Sequence, residues 1–188
     1  MSQLNSHQFE EVYKWLGINL DDLGCIMLDL EPIDMPLLDV QELPLHYTKN
    51  KDRFWIKGWV AKETPHITLL YGLLEDGKNF EPHIEKVLKD WKLETVEVED
   101  IGFFESPYSD EPYYCIVAHI KPTPDLIEGH QRLEFLPHIN TFAGYKAHFA
   151  LAYIEKNEIV RDNLIEELKK KFVGKKLSVK KLNLGGKK

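Results

Sequence analysis

The sequence predicts an α+β fold of two similar lobes, each contributing one strand that opens on a histidine. Three observations carry this. Read by hydrophobic period, the elements run strand, histidine strand, helix, strand, then strand, helix, histidine strand, helix, strand. The two histidine strands, PHITLLYG (65–72) and KAHFALAYI (146–154), share a shape 82 positions apart, a repeat of pattern rather than of identity. No linker divides the 188 residues, which suit a single domain over 1–188 with two small lobes about a shared cleft.

Each element has a local reason. Ser6 can cap a helix whose apolar stripe is Phe9, Val12, Tyr13 and Leu16, with Gly17 as its stop. GCIMLDLEP (24–32) reads as a strand. Residues 33–64, rich in proline, leucine and aromatics and without low-complexity sequence, read as an ordered excursion. Phe80, Ile84, Val87, Leu88 and Trp91 then recur at helical spacing, with Pro82 placed for a first turn. TVEVEDIGFFE (95–105) alternates as a strand does, and YYCIVAHI (113–120) is a second apolar run, with the turn-rich SPYSDEP between them. A helix follows from Thr123 to about Phe135. Leu164, Ile165, Leu168 and Phe172 mark a last helix and KLSVKKLNL a last strand, and the basic end at about 185–188 is read as disordered.

Composition narrows the function classes. With 43% hydrophobic and 11% aromatic residues the chain can bury a real core, so it is no disordered tail. Its apolar runs fall far short of the roughly 18 residues that span a bilayer, and MSQLNSHQFEEVYKW has no signal-peptide pattern, so no membrane partner is expected. Cys25 and Cys115, each in a strand-like run, read as reduced core residues of a cytosolic protein, with a disulfide the lesser alternative. The net charge is −7, but residues 169–188 hold nine lysines and no acid, leaving 15 basic against 31 acidic residues elsewhere. So acidic a body is a poor track for long nucleic acid, which needs many phosphate contacts. The lysine-rich end is read as a solvated helix face and tail.

In a regular strand His66, Thr68 and Leu70 point one way and Ile67, Leu69 and Tyr71 the other. Lys146, His148 and Ala150 share one face likewise, opposite Ala147, Phe149 and Leu151. Burying imidazole and hydroxyl unpaired costs on the order of 1–3 kcal/mol each, so both faces are expected to border a wet cleft. Two histidines across a cleft can straddle a phosphodiester, one taking a proton from the attacking oxygen while the other gives one to the leaving oxygen; a reference pKa of about 6.5 suits both tasks. A hydroxyl beside each would donate to the non-bridging oxygens.

Paired H-x-[T/S] strands about 80 residues apart resemble the 2H phosphoesterase superfamily. Its members include RNA 2′,3′-cyclic phosphodiesterases, also called 2′-5′ RNA ligase-like proteins, cyclic nucleotide phosphodiesterases and phage anti-CBASS nucleases. The resemblance implies a bilobal fold, each lobe an antiparallel sheet with helices, and the two motifs facing each other in a central groove. It also implies metal-independent chemistry without a cofactor. PHITLLYG matches the first motif closely, whereas AHFALAYI matches the second at His148 only. Ala150 stands where the family has threonine or serine, either as a natural variant or as a replacement, and the missing donor implies a rate penalty on the order of 10²–10³.

Taken singly, His66 and His148 each read as a buried-strand histidine bonded to a backbone carbonyl; as a pair with matched flanks they read as catalytic. His7, His46, His83, His119, His130 and His138 show no ligand spacing and the cysteines lie far apart, so no metal site is expected. Lys146 can approach the phosphate or be a solvated strand end. Tyr108, Tyr113 and Tyr114 can stack on a nucleobase or pack in core and rim, and Trp55 and Trp59 carry the same alternatives. The expectation is a phosphodiesterase with His66 and His148 as acid–base pair, Thr68 as phosphate donor, and Ala150, Lys146 and Tyr108 at the substrate. The substrate is expected to be a small cyclic nucleotide or cyclic oligonucleotide, as for the phage immune-evasion nucleases. The alternatives are a 2′,3′-cyclic phosphate at an RNA end, and a sponge that binds a cyclic nucleotide without cutting it.

Overall fold

The computed structural model describes residues 13, 15–18, 23–34, 58–59, 65–106, 112–140 and 144–185. Its strands are β1 (Gly24–Leu30), β2 (Gly58–Trp59), β3 (His66–Leu73), β4 (Thr95–Glu105), β5 (Tyr113–Ile120), β6 (His148–Glu155) and β7 (Lys176–Gly185), with helices α1 (Glu81–Val87), α2 (Pro124–Leu133) and α3 (Glu158–Phe172). All seven strands join in one sheet, order β2-β6-β5-β4-β7-β1-β3, and every pairing is antiparallel. The expected α+β class and its two lobes follow from how β4 is used. Thr95–Glu97 pairs with β7, whereas Val98–Glu105 pairs with β5, and a bulge between Val98 and Asp100 marks the passage from one half to the other. The first half, β7-β1-β3, carries the His66 strand; the second, β4-β5-β6, carries the His148 strand. Although β3 and β6 lie far apart in the strand order they approach each other in space, because twist and bulges curl the sheet.

Helix placement follows from caps and apolar stripes. Thr123 accepts a hydrogen bond from the Leu126 amide at the start of α2, and Pro124 follows in the first turn. Asn157 caps α3 in the same way through the Val160 amide. Leu126 and Leu133 of α2 bury against β3, and Leu164, Ile165, Leu168 and Phe172 of α3 against β4 and β5. Each such side chain stabilises the fold by about 1.5–3 kcal/mol. The helical spacing through Trp91 overreaches: α1 ends at Val87 after a short 3₁₀ turn over Gly77–Phe80, and Trp91 instead donates its indole N–H to the Asp125 carbonyl, 2.7 Å away, tying α1 to α2. Gly185 closes β7, so the disordered end expected from about 185 does not include it, and 186–188 lie outside the described residues. At the first helix, Tyr13 and Trp15 are helical and the Ile18 amide returns to the Tyr13 carbonyl, which is the stop expected at Gly17; Ser6, Phe9 and Val12 lie outside the described residues, as does most of the 33–64 excursion. Among the described residues no helix is long and apolar enough to cross a membrane.

The end of β3 is fixed by Gly72. Its φ is +91°, and a Cβ there would run into the Ile139 carbonyl, because the 137–139 segment bonds back onto the strand (Ile139 N–H to the Gly72 carbonyl, 2.9 Å). Gly72→Ala is therefore expected to cost at least about 2 kcal/mol, from left-handed backbone strain and overpacking together. Urea midpoints of the two forms measure it, and an unchanged midpoint would contradict the account.

Candidate active site

The two histidine strands depart from regular alternation at the same place. In β3, Leu70 pairs with Ile26 and Thr68 with Met27, so one residue is extra and the phase shifts at Leu69. Leu69 and Leu70 are both buried, and Tyr71 returns to the surface. In β6, Ala150 pairs with Val117 and Ala152 with Ile116, so Leu151 is the extra residue. Leu151 and Ala152 are both buried, and Tyr153 returns to the open face. The assignment of Leu70 to the face of His66, and of Tyr71 to the opposite face with Ile67 and Leu69, is thereby corrected: strict period 2 fails where a bulge intervenes. The two strands share the plan His-x-(Thr/Ala), two buried residues, then tyrosine. The repeat read in the sequence is thus a repeat of backbone geometry.

Between these strands lies a groove of about 270 Å³ lined by His66, Thr68, Phe104, Glu105, Tyr113, Cys115, Val117, His148, Phe149, Ala150 and Tyr153. His66, Thr68, His148 and Ala150 all line it. Lys146 is exposed and its side chain is not among the lining residues; it contributes a backbone carbonyl, which accepts the Nδ1–H of His148 at 2.8 Å. That bond fixes the ring and leaves a lone pair on Nε2 of the neutral imidazole. The His148 and Phe104 rings pack edge to face, with centroids 4.9 Å apart. Opposite His66 on β1 stands Asp29, held by the Asn183 amide at 3.0 Å, with Lys181 3.8 Å away. Tyr113 lines the groove, whereas Tyr114 is fully buried; Tyr108 and Trp55 lie outside the described residues, as does the Trp59 side chain.

Period-2 reasoning missed Tyr153, which only the bulge brings to the groove. The matching endings LLY and LAY were the available signal. Tyr153 stands opposite Cys115 in the strand register, close enough for their side chains to hydrogen-bond. Burial pushes the Cys115 thiol up to about 11, only partly offset by that bond, so it is a neutral thiol and no nucleophile. Burial, with Cys115 and Tyr113 beside it, also raises Tyr153, which stays a protonated donor. Tyr113 leans on Tyr153 with ring centroids 5.5 Å apart.

His119 was missed too, although alternation from Tyr113, Cys115 and Val117 sets it on the same face. It is the cross-strand partner of His148, and its ring lies over Gly102, where a Cβ would come within 2.6 Å of Nε2. Burial, then the neighbouring His148, depress its pKa below 6.5, against the opposing pull of Asp100. An unfolded chain thus binds the His119 proton more readily than the folded one. Stability contributed by this group is present above about pH 6.5 and lost as pH falls toward its lower folded value. Urea midpoints from pH 7 to 5 are expected to fall less steeply for His119→Gln than for the unaltered protein, and parallel slopes would contradict this.

Among the described residues no three His, Cys, Asp or Glu side chains group so as to hold a metal ion. The groove offers two imidazoles, a hydroxyl and an aromatic rim, a set suited to proton transfer at a phosphodiester. The model of the 2′-5′ RNA ligase superfamily matches residues 36–186. The chain belongs to the 2′-5′ RNA ligase superfamily. This is the 2H phosphoesterase family that its paired motifs resemble, and the family's chemistry is that of phosphodiesters. Among solved structures, that of Kluyveromyces marxianus Usb1 is similar to this superfamily member at 11% identity and a TM-score of 0.45, covering 88% of this chain and 95% of that one. No curated protein matches.

Proposed function

We propose that the protein is a phosphodiesterase in which His66 and His148 act as acid and base on one nucleotide phosphodiester, with Thr68 donating to a non-bridging oxygen. The observation that supports it is the placement of both histidines on one groove by two strands of the same bulged plan. The described groove, at about 270 Å³, is at the small end of ligand clefts, which favours engagement of a single nucleotide step by Phe104, Tyr113 and Tyr153. A cyclic nucleotide or cyclic oligonucleotide fits this reading, as do the immune signals of that class. The second reading, a 2′,3′-cyclic phosphate at an RNA end, is favoured by the superfamily that the chain matches.

The test incubates the protein with 2′,3′-cyclic AMP, cyclic di-AMP and an RNA oligonucleotide ending in a 2′,3′-cyclic phosphate, with and without chelator. Turnover of at least one, unchanged by chelator, is expected; the preferred compound separates the two readings. Binding without cleavage would replace the enzyme by a sponge. Loss on chelation with rescue by a divalent metal would overturn the acid–base mechanism.

A further inference from the structure

We propose that Tyr153 supplies to the substrate phosphate the hydroxyl donor that position 150 lacks. The inference rests on the phosphodiesterase reading and concerns how the second lobe completes the site. Four observations carry it. Ala150 lines the groove at the position matching Thr68, and its methyl offers no hydrogen bond. Along β6 the next residue to return to that face is Tyr153, because the bulge sends Leu151 and Ala152 both inward. Tyr153 lines the same groove as His148 and Ala150, whereas Tyr71, its counterpart on β3, is not among the described residues that line it. The tyrosine thus enters the groove in the lobe that has lost the hydroxyl, and stays out in the lobe that has kept it.

The fourth observation is the present partner of the hydroxyl. The Tyr153 hydroxyl lies within hydrogen-bonding reach of the Cys115 sulfur, a weak partner, while Tyr113 leans against its ring. A non-bridging phosphate oxygen is a far stronger acceptor, so the O–H can turn from sulfur to substrate with little displacement of the ring. The small side chain at 150 leaves that approach open. The donation would strengthen as charge grows on the oxygen, so it acts chiefly on kcat.

Steady-state rates of four forms test this: unaltered, Tyr153→Phe, Ala150→Thr, and the two together, on whichever of 2′,3′-cyclic AMP, cyclic di-AMP and the cyclic-phosphate-ended RNA is turned over. Tyr153→Phe keeps the ring and is expected to lower kcat about 10²–10³-fold with little change in KM. Ala150→Thr is expected to restore tenfold or more to the phenylalanine form, because a donor is then missing for threonine to replace, and to raise the rate of the unaltered form by a much smaller factor. Restoration also shows that the phenylalanine form is folded. A Tyr153→Phe protein as fast as the unaltered one, with Ala150→Thr alone raising the rate 10²–10³-fold, would overturn the inference: position 150 would be a vacated donor site, and the phosphodiesterase reading would stand. No turnover of any of the three compounds by the unaltered protein would overturn both.

Discussion

Replacing either His66 or His148 with alanine is expected to reduce turnover by about 10²–10⁴-fold, the usual worth of one positioned general acid or base. Nucleotide binding should weaken far less, since the rim aromatics Phe104, Tyr113 and Tyr153 remain. Neither change should unfold the protein: His66 is exposed and His148 half-buried, and neither belongs to the core that joins the strands. The two variants should also differ in pH dependence. The unaltered enzyme is expected to show a bell-shaped rate profile bracketing neutrality, one limb for the group that must be charged and one for the group that must be neutral. Each alanine form should keep only the limb of the surviving histidine. Which limb each loses assigns acid and base. A His148→Ala protein with full turnover would confine the chemistry to the first strand.

The fold was largely legible in the sequence because every element but β2, which falls within the 33–64 excursion, carried a strong local signal. TVEVEDIGFFE and YYCIVAHI became β4 and β5 with the expected bounds, and Thr123 opens α2 as read. The His-x-(Thr/Ala) triplets were legible for the same reason: before any bulge, alternation holds for three residues. Beyond Thr68 and Ala150 it failed, since a bulge is a property of two paired strands and leaves little trace in one. Tyr71, Leu70 and Tyr153 were therefore misassigned or unremarked. Trp91 was misread as helical because its apolar ring buries equally well from a loop whose indole N–H finds the Asp125 carbonyl. The role of Gly102 depends on a neighbour 17 positions away, His119, whose ring occupies the space that a side chain would fill.

Thr68→Val is expected to lower kcat by about 10²–10³-fold while leaving KM within a few-fold. Valine has nearly the shape of threonine and an equal liking for strands, so the half-buried site on β3 should accept it without moving His66 two residues earlier. What disappears is the one O–H that the residue brings to the groove in the first lobe. A hydroxyl that bonded the ground-state phosphate as tightly as the transition state would, when lost, raise KM and spare kcat. The reverse is expected because a non-bridging oxygen gains charge as the attacking oxygen approaches, and a fixed donor responds without reorganising. Thr68→Ser, which keeps the hydroxyl but frees its rotation, should recover most of the rate. Equal kcat for the threonine and valine forms on the preferred substrate would show that the first-lobe hydroxyl is spectator to the reaction. The imidazoles and the second-lobe donors would then have to account for the catalysis between them.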